Sequence, residues 1–242
     1  MERDNYVSTF FQNVKTENEK VVASLDRLYG SYLPLQKDAL IVDIGFGLGF
    51  FLKFLKSKGY NNLQGVEIGR EQFEYVKTHI CKNVTLTNDT YKWLKQQDLS
   101  FDLIVLLDVI EHFKKEEIVP FLSLAYSKLS SGGRLLLRTI NSVGISAAFT
   151  RYMDFTQDIA FNEISIMQIL KIAGFKQIKI LDDTNYHNNK IKSKIFLWIR
   201  RLYFSWLRSC YYLERPGVIR PKHFSYKLHI VGEKSEIIHP CQ

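Results

Sequence analysis

Cysteine is scarce in this 242-residue chain: Cys81, Cys210 and Cys241 are the only three, an odd number, far apart and without metal-ligand spacing. That argues against a disulfide framework or a zinc site and points to a reducing, cytoplasmic setting. No apolar run approaches the ~20 residues that a membrane-spanning helix needs. The opening MERDNYVSTFFQNVKTENEK is charged from its second residue and has no apolar stretch, so it reads as neither a signal peptide nor a transit sequence. With 5 prolines, 13 glycines and no repeat or low-complexity tract, the composition is that of a globular chain long enough for one large domain.

Excess charge is also missing from most of the chain. Residues 190–222 hold nine Lys/Arg against one acid, Glu214, while the remainder holds 24 basic and 24 acidic side chains. The whole net charge of +8 therefore sits in one segment, and whatever basicity attracts, it attracts there.

What is present is an alternation of short apolar runs with helical periodicity. An N-terminal helical segment or lid, residues 1–36, is expected to carry a helix from Glu17 to Tyr32. The runs ALIVDI (39–44), NLQGVEI (62–68), VTLTN (84–88), FDLIVLL (101–107) and GRLLLRTI (133–140) then read as strands. Helix-like stretches start near Gly49, Arg70, Thr90 and Lys114, each long enough for a right-handed crossover. Strands that are apolar throughout imply a parallel sheet covered on both faces, an α/β fold. NEISIMQILKIAGF reads as a helix stopped at Gly174, KQIKIL as a sixth strand and FSYKLHIVGE (224–233) as a seventh. The basic segment 190–222 becomes an insertion between the core, 37–189, and its last strand and tail, 223–242.

Ligands of open α/β sheets bind beyond the carboxyl ends of the strands. The first strand ends in DIGFGLGF, where Gly45, Gly47 and Gly49 permit a tight turn and close backbone approach. A P-loop needs a Gly-Lys-Ser/Thr ending, and a dinucleotide fingerprint would place its third glycine at Phe50, so both are disfavoured. VDIGFGLGFFL, Glu67 ending the second strand, ND after the third and FDLIVLLDVIEHF at the fourth resemble the class I S-adenosylmethionine-dependent methyltransferases. The likeness covers roughly residues 38–182 plus the last strand. It implies a Rossmann-like, seven-stranded, mostly parallel sheet with an antiparallel last strand. It also implies S-adenosyl-L-methionine as cofactor and S-adenosyl-L-homocysteine as product. By that resemblance the loop Gly45, Phe46, Gly47 to Gly49 passes under the methionine part, with Asp43 fixing the turn. Glu67, beside Ile68, accepts from both ribose hydroxyls, a bidentate task suited to a carboxylate. Asp89, followed by Thr90, accepts from the adenine amino group, and Asp108 lines the pocket near the sulfonium. Helix capping is the competing role for such strand-end acids.

Methyl transfer needs an acceptor that is positioned and relieved of its proton. DVIEHF places Asp108, Glu111 and His112 at i, i+3 and i+4, neighbours on a helical turn. His112, with an ordinary pKa of about 6.5, is the natural general base. A loop and cap element is the alternative. Resemblance to ubiquinone-biosynthesis and plant small-RNA methyltransferases raises a divalent metal, not favoured here because their Glu/His sets are richer. RTINSVGISAAFTRYMDFTQDIAFNEISIMQIL resembles the acceptor-side loop of bacterial surface-polysaccharide methyltransferases and offers Arg138, Asn141, Arg151, Tyr152, Asp154 and Gln157 to a sugar. Those enzymes often have THE where this chain has TQD, Thr156 to Asp158, which shifts proton removal to His112.

KIKSKIFLWIRRLYFSWLRSCYYL, Lys190 to Leu213, has the pattern of an amphipathic helix. Ile191, Ile195, Trp198, Ile199, Leu202, Trp206 and Leu213 share one face, widened by Phe196, Tyr203 and Leu207, against Lys190, Lys194, Arg200, Arg201 and Arg208. Such a helix suits the headgroup region of an anionic membrane, where each basic residue contributes about 1 kcal/mol. The stripe could equally pack on the protein's own sheet or on a second copy in a homodimer. RNA binding through phosphates and stacking comes last, because the rest of the chain is neutral. The expectation is a cytoplasmic methyltransferase, peripheral at the inner membrane face, that O-methylates a sugar of a surface or lipid-linked glycan in polysaccharide biosynthesis. A quinone or lipid-like phenol is the alternative acceptor, ahead of an RNA 2'-hydroxyl or a nonenzymatic cofactor-binding subunit.

Overall fold

The computed structural model describes residues 18–144, 146–181 and 191–235. Residues 1–17, Lys190 and Cys241 lie outside the described residues, with whatever the sequence suggests for them. Seven strands form one sheet: β1 (Ile41–Ile44), β2 (Leu63–Glu67), β3 (Val84–Leu86), β4 (Phe101–Leu107), β5 (Leu129–Ile140), β6 (Gln177–Leu181) and β7 (Lys227–Glu233). Their order is β3-β2-β1-β4-β5-β7-β6, and β7 runs antiparallel to both neighbours. The helices are α1 (Asn18–Tyr29), α2 (Phe50–Ser57), α3 (Arg70–His79), α4 (Thr90–Lys95), α5 (Lys115–Lys128), α6 (Ala147–Tyr152), α7 (Glu163–Ile172) and α8 (Ile191–Glu214). This is the expected seven-stranded, mostly parallel, Rossmann-like arrangement.

The strands are apolar throughout because the sheet is buried on both sides, and the pleat sends successive side chains to opposite cores. Ile104, Leu106, Leu135 and Leu137 join Phe121, Leu122 and Leu170 in one. Leu103, Val105 and Leu136 join Leu52, Phe54 and Leu55 in the other. Glu163 opens α7 behind Asn162, whose side chain accepts from Ile164 and Ser165 N–H, and Gly174 ends the segment at φ 112°.

Two strands start three or more residues away from the sequence reading, and one helix is added. β5 starts at Leu129 because that residue pairs with Phe101 ahead of an irregularity in the ladder. β7 starts at Lys227 rather than at Phe224, because the Asn141 side-chain amide donates to the His223 and Ser225 carbonyls at 2.9 and 2.8 Å while Phe224 turns inward. The acceptor loop contains a short helix, α6. As expected, α8 lies between β6 and β7. Among the described residues no helix is long and apolar enough to cross a membrane.

Candidate active site

The carboxyl ends of β1, β2 and β4 open into a cleft of about 1370 Å³, closed on one side by Val21 and Leu25 of α1. Ligand pockets run to roughly 300–1,000 Å³, so this one has room for a second molecule beside a cofactor. Asp43, Glu67, Asp89, Asp108 and His112 all line it.

The cofactor side is gripped by backbone. Gly45 sits at φ 70°, its N–H donating to the Val66 carbonyl at 2.8 Å, and a Cβ there would meet Val109 Cγ2 at 2.6 Å. Glu67 Oε2 accepts from Gly47 N–H at 2.8 Å, and its Oε1 accepts from Ile68 and Gly69 N–H at 2.8 and 3.1 Å. A carboxylate has about four acceptor positions, so this clamped group still has capacity for a ribose hydroxyl. Phe46 packs its ring against Gly65, and Gly49 sits behind the loop against Val76 and Ile80. Asp89 caps α4 through one oxygen, accepting from Lys92 N–H at 2.9 Å; Ile68 and Thr90 line the cleft beside these acids.

Asp43 is 2% exposed, and its Oδ2 has no hydrogen-bond partner. Burial, then the neighbouring Glu67 charge, push its pKa up to about 8. An orphaned carboxyl facing a cleft is relieved by a cation, and S-adenosylmethionine brings two, its sulfonium and its ammonium, so the residues fit that cofactor.

Asp108 is the one non-glycine residue with positive φ, 60°, among the described residues. Its Oδ2 accepts from Arg138 Nε and Nη2 at 3.0 and 2.5 Å, and its Oδ1 accepts from Lys227 Nζ. Burial would raise its pKa, but the Arg138 guanidinium and the Lys227 ammonium outweigh that and hold it well below the usual carboxylate range. Lys227 was not anticipated: it lies 119 positions from Asp108, and the antiparallel register opposite Ile140 delivers it.

Asp108 and His112 both line the cleft, but Glu111 does not join them there. A 3-10 turn, Ile110–His112, turns Glu111 into the core, where Oε2 accepts from Thr139 Oγ1 at 3.0 Å. Burial, then the Asp108 charge, push Glu111 up to about 8. His112 faces the acceptor loop instead, its Nδ1 lying 3.0 Å from Thr156 Oγ1 and 3.2 Å from the Thr156 carbonyl. A carbonyl only accepts, so Nδ1 carries the proton and Nε2 is the basic nitrogen. Thr156 in turn donates to Asp154 Oδ1 at 2.8 Å, an arrangement visible only once the loop is folded. Among the described residues no group of three or more His, Cys, Asp or Glu could hold a metal ion.

Of the groups named for a sugar, Arg138 and Asp154 line the cleft but hold Asp108 and Thr156 respectively. Asn141 is fully buried in its bonds to the segment before β7, while Arg151 lies over the Tyr152 ring at 5.4 Å. Gln157 lines the cleft with its buried Oε1 unpartnered. Around them Phe149, Tyr152, Met153 and Phe155 are each more than half exposed.

The family model of mycolic acid cyclopropane synthetases matches residues 2–206. The chain is 31% identical over 129 residues to the S-adenosylmethionine-dependent methyltransferase UmaA of Mycobacterium tuberculosis, covering 52% of this chain and 43% of that one. It is 28% identical over 159 residues to cyclopropane mycolic acid synthase 1 of the same organism, covering 60% and 55%. It thus spans about half the length of these curated relatives. A SAM-dependent methyltransferase from Archaeoglobus fulgidus shares the fold over 95% of this chain and 98% of its own, with a TM-score of 0.67 and 22% identity. These matches lend no support to the surface-polysaccharide resemblance of the acceptor loop. The chain belongs to the mycolic acid cyclopropane synthetase family of S-adenosylmethionine-dependent methyltransferases.

Proposed function

We propose that the protein methylates a lipid-type acceptor whose apolar chain enters the cleft past the loop of residues 149–157. The observation that carries this reading is the rim: Phe149, Tyr152, Met153 and Phe155 stand exposed beside the cleft-lining Thr150 and Asp154. Exposed apolar side chains grouped at a cleft mouth mark a surface that receives an apolar partner. Of the polar groups expected to greet a sugar, Arg138, Asp154 and Asn141 are instead committed to Asp108, Thr156 and the segment before β7. A relative named as a cyclopropane mycolic acid synthase also supports a lipid over a glycan.

When bound, the cofactor supplies an activated methyl carbon. Glu67 and the glycine loop position it, and Asp43 balances its charge. Val21, Leu25, Phe113 and Pro120 give the cleft an apolar wall that excludes water. His112 Nε2 takes the proton that the acceptor gives up, while Thr156 and Asp154 hold the ring in that tautomer.

The test uses S-adenosylmethionine labelled in the methyl group, with a total lipid extract and a delipidated glycan fraction offered separately. Label should enter the organic phase; label confined to the glycan would reject the lipid reading. His112→Ala should lower transfer roughly 100-fold or more without weakening cofactor binding, and unchanged transfer would remove His112 from the chemistry.

A further inference from the structure

The inner face of α8 packs through Phe204, Leu207 and Tyr211. Phe204 and Tyr211 place their rings 5.6 and 5.9 Å from that of the buried Phe224, Leu207 is 6% exposed, and Tyr211 Oη donates to the Val143 carbonyl at 3.1 Å. The opposite face is the one with the larger apolar stripe. Ile195, Trp198, Ile199, Leu202, Trp206 and Leu213 are each more than half exposed, at i, i+3, i+4, i+7, i+11 and i+18. Two of the chain's three tryptophans thus stand in solvent on a helix whose attachment to the body is already made by its other side.

We infer that this outer face of α8 docks the enzyme on an anionic lipid bilayer, the helix lying in the plane of the headgroups. Charge identifies the occupant. Residues 190–222 carry the whole net charge of +8, with Lys194, Arg201, Arg208, Arg215 and Arg220 exposed and Glu214 the single acid. A second copy is a poor fit, because a two-fold contact would bring two such basic strips together. RNA is a poor fit because the centre of the stripe is aliphatic, Ile195, Ile199 and Leu202, and offers bases little to stack on. An apolar stripe with tryptophans, with the exposed Lys194 and Arg201 along one side of it, on a helix about 36 Å long matches an interfacial helix. Val218 and Ile219, also exposed, extend the apolar surface past the helix end. Through Val143, α8 is joined to the segment leading into α6 and the apolar rim of the cleft. The docking is independent of the acceptor proposed above, since it concerns where the enzyme sits.

Flotation of the full chain with vesicles of phosphatidylcholine, with and without ~30 mol% phosphatidylglycerol, tests this directly. Binding should require the anionic lipid and fall steeply at ~0.5 M salt. Trp198→Ser with Trp206→Ser should reduce partitioning at least ~10-fold while leaving the circular dichroism spectrum and cofactor affinity unchanged, because both side chains are exposed. Lys194→Glu with Arg201→Glu should reduce it comparably. Absence of wild-type binding, equal binding to neutral vesicles, or a dimer that the tryptophan substitutions dissociate would each overturn the inference.

Discussion

On the cofactor side of the cleft Glu67 is held by three backbone N–H groups and Asp43 is 2% exposed, whereas on the acceptor side Phe155 is 91% exposed and Tyr152 77%. The first half is built from strand ends, where the sheet ladder fixes the backbone before any side chain is chosen. The second is built from a loop and a six-residue helix, tied down by single side chains such as Asn141 and Thr156. A ligand common to a family can be bound by backbone, which substitution hardly disturbs. A ligand that varies is met by side chains on loops, where change is cheap.

The sharpest way to break the first half is at Gly45. Gly45→Ala places a Cβ 2.6 Å from Val109 Cγ2 on left-handed backbone. Strain of ~1–2 kcal/mol and overpacking of similar size should sum to about 3 kcal/mol of lost unfolding free energy, with weakened cofactor binding. Gly47→Ala has the same backbone sign but nothing within 4 Å of its Cβ, so it should cost only the strain. Urea unfolding of the pair checks this; equal losses would mean that packing on Val109 does not matter.

A middle-sized effect comes from Glu111, the buried carboxyl between the two halves. Its pKa is raised from 4.5 unfolded to about 8 folded, so between those values the folded chain binds more protons than the unfolded one. Stability from this group is therefore complete below about pH 4.5 and lost as pH rises through 8. Glu111→Gln keeps an acceptor for Thr139 and cannot ionise. It should match wild type near pH 4 and exceed it increasingly as pH rises through 8, read as a flattened stability profile. A parallel decline in both proteins would place the titration elsewhere.

Much of the cofactor half was legible in the sequence because its signals are local: a glycine turn after an apolar run, then acids at successive strand ends. Lys227 was not legible, since only the register of an antiparallel strand inserted between β5 and β6 brings it to Asp108. Glu111 and His112 diverge because Asp108 breaks the helical phase that their spacing assumed. For α8 the helical wheel put Ile195, Trp198, Ile199, Leu202, Trp206 and Leu213 on one face, all of them exposed, and Leu207 with them although it is buried; hydrophobicity alone does not say which face meets the body. Phe224, which decides that, belongs to the following segment. In the acceptor loop Arg151 and Asp154 read as sugar ligands, and only the folded loop shows the first over Tyr152 and the second accepting from Thr156.

The smallest expected effect is at Thr156, and it asks whether the acceptor half contains any of the fixed geometry of the cofactor half. The Thr156 hydroxyl stands between His112 Nδ1 at 3.0 Å and Asp154 Oδ1 at 2.8 Å, so it can accept from the imidazole while donating to the carboxylate. Val keeps the shape and removes both bonds, but the Thr156 carbonyl, 3.2 Å from Nδ1, remains to hold the tautomer. One lost neutral hydrogen bond of ~1 kcal/mol corresponds to about a 5-fold fall in kcat, with cofactor affinity unchanged. A purely structural role would lower stability and leave the kinetics alone. A positioning role also shifts the acidic limb of the kcat–pH profile, where the general base becomes protonated, because His112 loses the partner chain that ends on Asp154, and Thr156→Ser should restore it. A profile identical in Thr156→Val and wild type would leave His112 oriented by the backbone carbonyl alone, and both sides of the cleft would then position their reactive groups by main chain.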